Sequence, residues 1–297
     1  MPLSLPALAL TAALTAALAA AGDEVHTVDV AGAARTYKIH VPAELGSDVR
    51  APLVVVLHGG GGNADAIAEN SGMSPKADRE KFIVAYPQGV GRQAGAYTWN
   101  ASHCCAFAMT EHAPDVEFIG KLLDDIERLH RVDSKKIYIT GMSNGGMMAY
   151  RILGAMADRI AAAGIVAGAM FADQPKPSRP VAMVMFHGSA DPVVPFNGGT
   201  SPNATVAQSM NAPFLPVKSA FDFWSKQDGC QGEISETTTA AFTKQSQESC
   251  RAGAAVILYV IHDGGHAWPG GLRGATGTPA ISATDVMWTF FAAHAQP

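Results

Sequence analysis

The sequence predicts an α/β fold, a mostly parallel central sheet flanked by helices, in a single domain. Three observations carry this expectation. Short β-branched or apolar runs alternate with longer segments of helical period, as strand-crossover-strand units do. Several of the runs are apolar throughout, which suits strands covered on both faces. And 297 residues, 48% of them hydrophobic, can bury roughly three quarters of the unfolded surface, so no metal or dense disulfide framework is needed to hold a core.

The elements follow in chain order. Residues 1–21 carry no charged side chain and are mostly Ala and Leu, and the polar Gly22-Asp23-Glu24 follows at once. The apolar run from Ala7 to Ala21 is short for a membrane span, and Ala19-Ala20-Ala21 offers the small-x-small pattern of signal-peptidase cleavage. Residues 1–21 therefore read as a removable secretory signal, although only the amino terminus supplies its positive end. Residues 22–297 read as the catalytic domain, exported to the extracellular space or the periplasm. Strands are expected at 36–41, 53–57, 82–86, 136–140, 163–166, 181–186 and 255–261, and helices at 115–131, 144–157, 217–227 and 284–294. In the first helix Val116, Ile119, Leu122, Leu123, Ile126 and Leu129 fall on one stripe, with acids early and Arg128 and Arg131 late, as the helix dipole prefers. Residues 197–216 form the least regular stretch and read as a long surface loop that could act as a lid.

Charge excludes some partners. With 26 acidic against 21 basic side chains the formal charge is −5, the pI is near 6.0, and no run of like charges occurs. Neither nucleic acid nor stable membrane insertion is expected, and a small-molecule or polymer substrate is. The four cysteines suit an oxidising compartment. They allow three pairings. Cys230 with Cys250 is favoured, a bridge that contributes on the order of 3 kcal/mol by restricting the unfolded chain. Cys104 and Cys105 are adjacent, and a disulfide normally spans Cα atoms about 4.4 to 6.8 Å apart, against about 3.8 Å for trans neighbours. That pair stays open between a strained bridge and two buried thiols.

The chemistry begins where the strand at 136–140 runs into Gly141-Met142-Ser143-Asn144-Gly145-Gly146 and then an apolar helix. This is G-x-S-x-G in a strand-turn-helix setting. So tight a turn needs glycine beside the serine and lifts its hydroxyl to the top of the sheet. A serine hydroxyl needs a general base at neutral pH. Asp191, after the strand ending at Phe186, and His266, after the strand ending near Ile261, follow in the chain order serine, acid, histidine. His266 is expected to take the proton of Ser143 and pass it to the leaving alcohol, with Asp191 holding its tautomer. His187 and His262, at strand ends, are expected to be structurally satisfied. A tetrahedral intermediate needs two donors at its oxygen, here the backbone N–H of Asn144 and that of Gly60 in His58-Gly59-Gly60-Gly61-Gly62. A phosphate-cradling role for that loop is disfavoured, since no Lys or Ser/Thr follows at the spacing of a nucleotide loop.

Five segments in this order, Leu57 to Gly62, Trp99-Asn100 followed by Cys104-Cys105, Gly141 to Gly146, His187-Gly188-Ser189-Ala190-Asp191 and Gly265 to Gly270, resemble the polyhydroxybutyrate-depolymerase family of α/β-hydrolase esterases. That family is close to the feruloyl and acetylxylan esterases of the first carbohydrate-esterase family. The resemblance spans about residue 26 to the C-terminus. It implies an α/β-hydrolase fold, a triad of Ser143, Asp191 and His266, secretion, no cofactor or metal, and a cysteine pair near Cys230 and Cys250. No polymer-binding segment is recognisable after the catalytic part, which argues against attack on solid polymer.

Trp99 and Trp268, close to the motifs, are expected to line the cleft as apolar substrate-binding walls, while Trp224 and Trp288 sit in helical patterns and read as packing. The expected activity is therefore a secreted serine esterase acting on short polyester or hydroxyalkanoate esters. The alternative is a feruloyl or acetylxylan esterase. A binding module that kept the fold and lost catalysis is disfavoured by the intact Ser143, Asp191 and His266.

Overall fold

A computed structural model describes residues 22–46, 48–272 and 281–296. The expected signal at 1–21 lies outside them. The chain runs β1 (Gly22–Val30), β2 (Ala33–Val41), β3 (Ala51–Leu57), α1 (Ala64–Ser71), α2 (Met73–Glu80), β4 (Ile83–Pro87), β5 (Val90–Gln93), β6 (Ala96–Thr98), α3 (Ala106–Thr110), α4 (Asp115–Leu129), β7 (Val132–Met142), α5 (Asn144–Met156), β8 (Ala162–Val166), β9 (Ala182–Gly188), α6 (Ala204–Gln208), α7 (Val217–Gln227), β10 (Ser235–Thr238), β11 (Phe242–Gln247), β12 (Val256–Ile261) and α8 (Ala283–Ala293). Ten strands form one sheet in the order β1-β2-β4-β3-β7-β8-β9-β12-β11-β10. From β4 to β12 every pairing is parallel, and the antiparallel strands β1, β2, β11 and β10 close the two edges. The α/β-hydrolase expectation holds.

Period-two alternation sorts the core strands onto two cores. Leu53, Val55, Leu57, Ile137 and Ile139 face α4, α5 and α7, whereas Val54, Val56, Val84 and Tyr138 face α1, α2 and α8. Both faces of β3 are thus apolar, as a central parallel strand requires. In α4 the buried Phe118, Ile119, Leu122, Leu123 and Ile126 make the contact with the sheet, each worth roughly 1.5–3 kcal/mol on transfer from water. The stretch 197–216 contains the short α6 and is tied down by backbone bonds: Asn211 N–H donates to His103 O, Leu215 N–H to Met170 O and Val217 N–H to Phe196 O. These bonds pack the stretch against neighbouring loops. Cys230 is bonded to Cys250, and Cys104 to Cys105, which resolves the open alternative in favour of a bridge between neighbours. Among the described residues no helix is long and apolar enough to cross a membrane.

Candidate active site

Because β7, β9 and β12 are parallel and close in the sheet, the loops at their C-terminal ends meet on one side of it. Ser143 stands between β7 and α5 with φ 56° and ψ −123°, a strained conformation for a side chain other than glycine. Its N–H donates to Val166 O at 2.8 Å, fastening the turn to β8. A Cβ at Gly141 would lie 2.5 Å from the backbone of Gly145, and one at Gly145 would lie 2.5 Å from Leu57 O and His58 O. Only glycine fits at either place, which is why the motif reads as it does.

Asp191 is buried in the loop after β9. Its Oδ1 accepts the N–H groups of Val193 and Val194 at 2.8 and 2.9 Å, and its Oδ2 lies 2.8 Å from His266 Nδ1. Burial works to raise the carboxyl, but the His266 hydrogen bond, its charge and the two amides outweigh it and hold Asp191 below the usual carboxylate range. A carboxylate only accepts, so the bond assigns the proton to His266 Nδ1 and leaves the Nε2 lone pair to act as a base. His266 is half-buried, and the Ser143 hydroxyl has no hydrogen-bond partner among the described residues. His187 Nε2 donates to Val194 O at 2.8 Å, and burial lowers its pKa. His262 Nε2 sits 2.9 Å from the Thr243 hydroxyl. Both histidines are thus engaged in the framework.

On the other flank, the loop after β3 brings Gly59 and Gly60 against the turn. An ideal Cβ on Gly59 lies 3.5 Å from Ser143 Cβ, and one on Gly60 lies 3.5 Å from Asn144 Cβ. Asn144 opens α5, so its N–H belongs to the free first turn of a helix. His58 is buried, with Nδ1–H donating to Gly59 O at 2.8 Å and Nε2 accepting Gly89 N–H at 3.0 Å. One partner accepts and the other donates, which selects a single neutral tautomer, and burial lowers its pKa to about 4.

Trp99 and Trp268 correct the expectation that they line the cleft. Both are 0% exposed. Trp268 packs under α8 and donates its indole N–H to the Thr284 hydroxyl at 3.0 Å. Trp99 donates its own to His58 O at 2.9 Å, and its backbone exchanges two bonds with the Asn144 side chain, N–H to Oδ1 at 2.7 Å and Nδ2–H to Trp99 O at 3.1 Å. An indole buries well once its single donor has a partner. The sequence reading placed these rings near the site and missed that they face inward. It also missed the buried pair of Arg35 and Asp115, 2.7 Å apart, whose carboxylate accepts Asn100 N–H at 2.8 Å and anchors the segment next to Trp99.

Comparison with known proteins identifies the family and the fold. The family model described as esterase PHB depolymerase matches residues 35–209, a span that holds Gly60, Ser143 and Asp191 and stops short of His266. A putative esterase, NocK, of Nocardia uniformis subsp. tsuyamanensis is 32% identical over 257 residues, 82% of this chain and 73% of that protein. Feruloyl esterase B of Piromyces equi is also 32% identical, over 80% of this chain but only 43% of its own length. In solved structures, an acetyl xylan esterase from Aspergillus awamori shares the fold with a TM-score of 0.59 at 16% identity, covering 90% of this chain and 99% of that one.

Proposed function

This chain belongs to the esterase PHB depolymerase family, and from that premise we propose that it is a secreted serine esterase that hydrolyses short hydroxyalkanoate esters through an acyl-enzyme. One observation carries the reading: the Asp191–His266 hydrogen bond at 2.8 Å stands on the same side of the sheet as a strained serine turn. His266 Nε2 takes the proton of Ser143 as Oγ adds to the ester carbonyl. Asp191, ionised at neutral pH, orients the ring and stabilises the imidazolium. The oxyanion is received by the N–H groups of Gly60 and Asn144. On collapse the alcohol leaves with the proton from His266. Water then repeats the addition on the acyl-enzyme, giving up its proton to His266, and the acid and free Ser143 are released. Export of the domain that begins at Gly22 agrees with two disulfides, which form in oxidising compartments.

The polyester preference rests on polarity. A site that recognises sugar hydroxyls needs free polar groups, because leaving such groups unpaired is costly. Of the nearby asparagines, Asn144 spends its amide on Trp99 and Asn100 donates its own to Ala113 O, leaving Asn197 exposed. The second reading, a feruloyl or acetylxylan esterase, is favoured by the likeness to feruloyl esterase B. A panel of purified substrates decides between them. Soluble hydroxybutyrate oligomers and short acyl esters are expected to have the higher kcat/KM, and a ratio of about tenfold or more in favour of methyl ferulate or acetylxylan, some 1.4 kcal/mol, would reverse the assignment.

A further inference from the structure

We propose that Trp99 is a positioning residue that ties together the two segments carrying the oxyanion donors. The proposal rests on the reading of Gly60 and Asn144 as those donors. Trp99 is fully buried and stands between them: its indole N–H holds His58 O on the glycine loop, and its backbone N–H and C=O hold both ends of the Asn144 amide. No other residue bonds to both segments through three hydrogen bonds among the described residues.

Peptide geometry carries the indole bond toward the donor by way of His58, whose backbone O it holds and whose ring holds Gly59 O. In a trans peptide the C=O and the following N–H point in opposite directions from one rigid plane. His58 O, held by Trp99, shares its plane with Gly59 N–H. Gly59 O, held by His58 Nδ1–H and by Gly62 N–H at 3.0 Å, shares its plane with Gly60 N–H. Neither Gly59 N–H nor Gly60 N–H has a hydrogen-bond partner among the described residues. Bonds behind the loop thus fix the direction of amides left free in front of it. Glycines have no side chain to hold them in place, so the loop depends on such bonds. The His58 and Trp99 rings, with centroids 4.9 Å apart, pack the same joint. From the other side Asn100 N–H is fastened to Asp115, so the tryptophan cannot drift with the loop.

A residue that aims donors at developing charge acts on the transition state and leaves ground-state binding alone. The test replaces Trp99 by Phe, and in parallel by benzothienylalanine, which keeps the bicyclic shape and exchanges the N–H for sulfur. Relative to wild type, both variants are expected to lose about 10- to 100-fold in kcat, somewhat less than deletion of a whole donor. KM should stay within about threefold, and affinity for a trifluoromethyl ketone, whose hemiketal oxyanion mimics the intermediate, should fall by the same factor as kcat. The benzothienyl variant separates the hydrogen bond from packing even if the phenylalanine variant does not fold. Wild-type kcat and ketone affinity in that variant would overturn the proposal, as would a rise in KM at constant kcat. A wild-type protein without Ser143-dependent hydrolysis would instead overturn the reading beneath it.

Discussion

The two halves of the candidate site are built differently. On the oxyanion side, His58, Trp99 and Asn144 are 0 to 1% exposed, and every polar side-chain atom of the three has a partner. On the proton-transfer side, Asp191 is equally well held, but His266 is only half-buried and the Ser143 hydroxyl is without a bond among the described residues. The difference suits the chemistry proposed for each half. Electrostatic stabilisation works best when dipoles are fixed before charge develops, because nothing then has to reorganise at the moment of reaction. Proton transfer requires a serine that can turn from substrate to base, and catalytic hydrogen bonds are often completed only when substrate is present.

The largest effects should come from the proton-transfer half. Ser143→Ala is expected to lower turnover on the order of 10⁶-fold with little change in melting temperature, and His266→Ala nearly as much, since such groups act as a unit. His262→Ala, whose ring bonds to Thr243, should stay within about tenfold of wild type in a steady-state assay. An inactive but folded His262→Ala beside an active His266→Ala would reverse the choice of base. Asp191→Asn should cost roughly 10⁴-fold in kcat through the wrong histidine tautomer.

Smaller effects sharpen the contrast by leaving the chemistry alone. Replacing Cys230 and Cys250 together by Ser, far along the chain from the turn, should lower stability in chemical denaturation by about 2 to 4 kcal/mol without changing kcat. The fixed half has its own signature in pH. His58 is neutral in the fold, its pKa lowered from 6.5 to about 4 by burial. The unfolded chain therefore takes up a proton that the folded chain refuses, and this stability is full above pH 6.5 and lost as pH falls toward 4, roughly 3 kcal/mol. Asp228, after α7, works in the opposite direction. Its Oδ1 accepts Val181 N–H while Oδ2 has no partner, and burial pushes the carboxyl to about 7. Its contribution is full below pH 3.8 and is lost as pH rises through 7. The two slopes oppose between pH 4 and 6.5, so Asp228→Asn should expose that of His58. Stability of the variant should rise with pH more steeply than that of wild type by roughly 3 kcal/mol across the window, measured by denaturant midpoints, and parallel curves would refute the assignment.

The same contrast separates what the sequence made legible from what it hid. Central strands such as β3 and β8 stood out because burial on both faces leaves an unbroken apolar run, and α4 because its stripe repeats at helical period. The edge strands did not. In β1 the partly buried positions are Glu24, His26 and Val28, and in β10 all four residues are exposed, so no apolar alternation marks either. The positions of the Ser143 turn, the Asp191–His266 pair and the glycine loop were legible because tight turns and loop order impose residue types. The roles of Trp99, Trp268 and the Arg35–Asp115 pair were not, because burial of a polar tip depends on a partner far away in sequence: 41 positions separate Trp99 from His58, and 80 separate Arg35 from Asp115.

If Ser143 is the nucleophile set against a prearranged pair of donors, covalent trapping will mark it and no other residue. Wild-type protein treated with a fluorophosphonate and digested should carry one adduct, on the peptide containing Ser143, with loss of hydrolysis in step with labelling. Ser143→Ala should take up no label. An adduct on a different residue, or full hydrolysis by protein whose Ser143 is quantitatively labelled, would contradict the account.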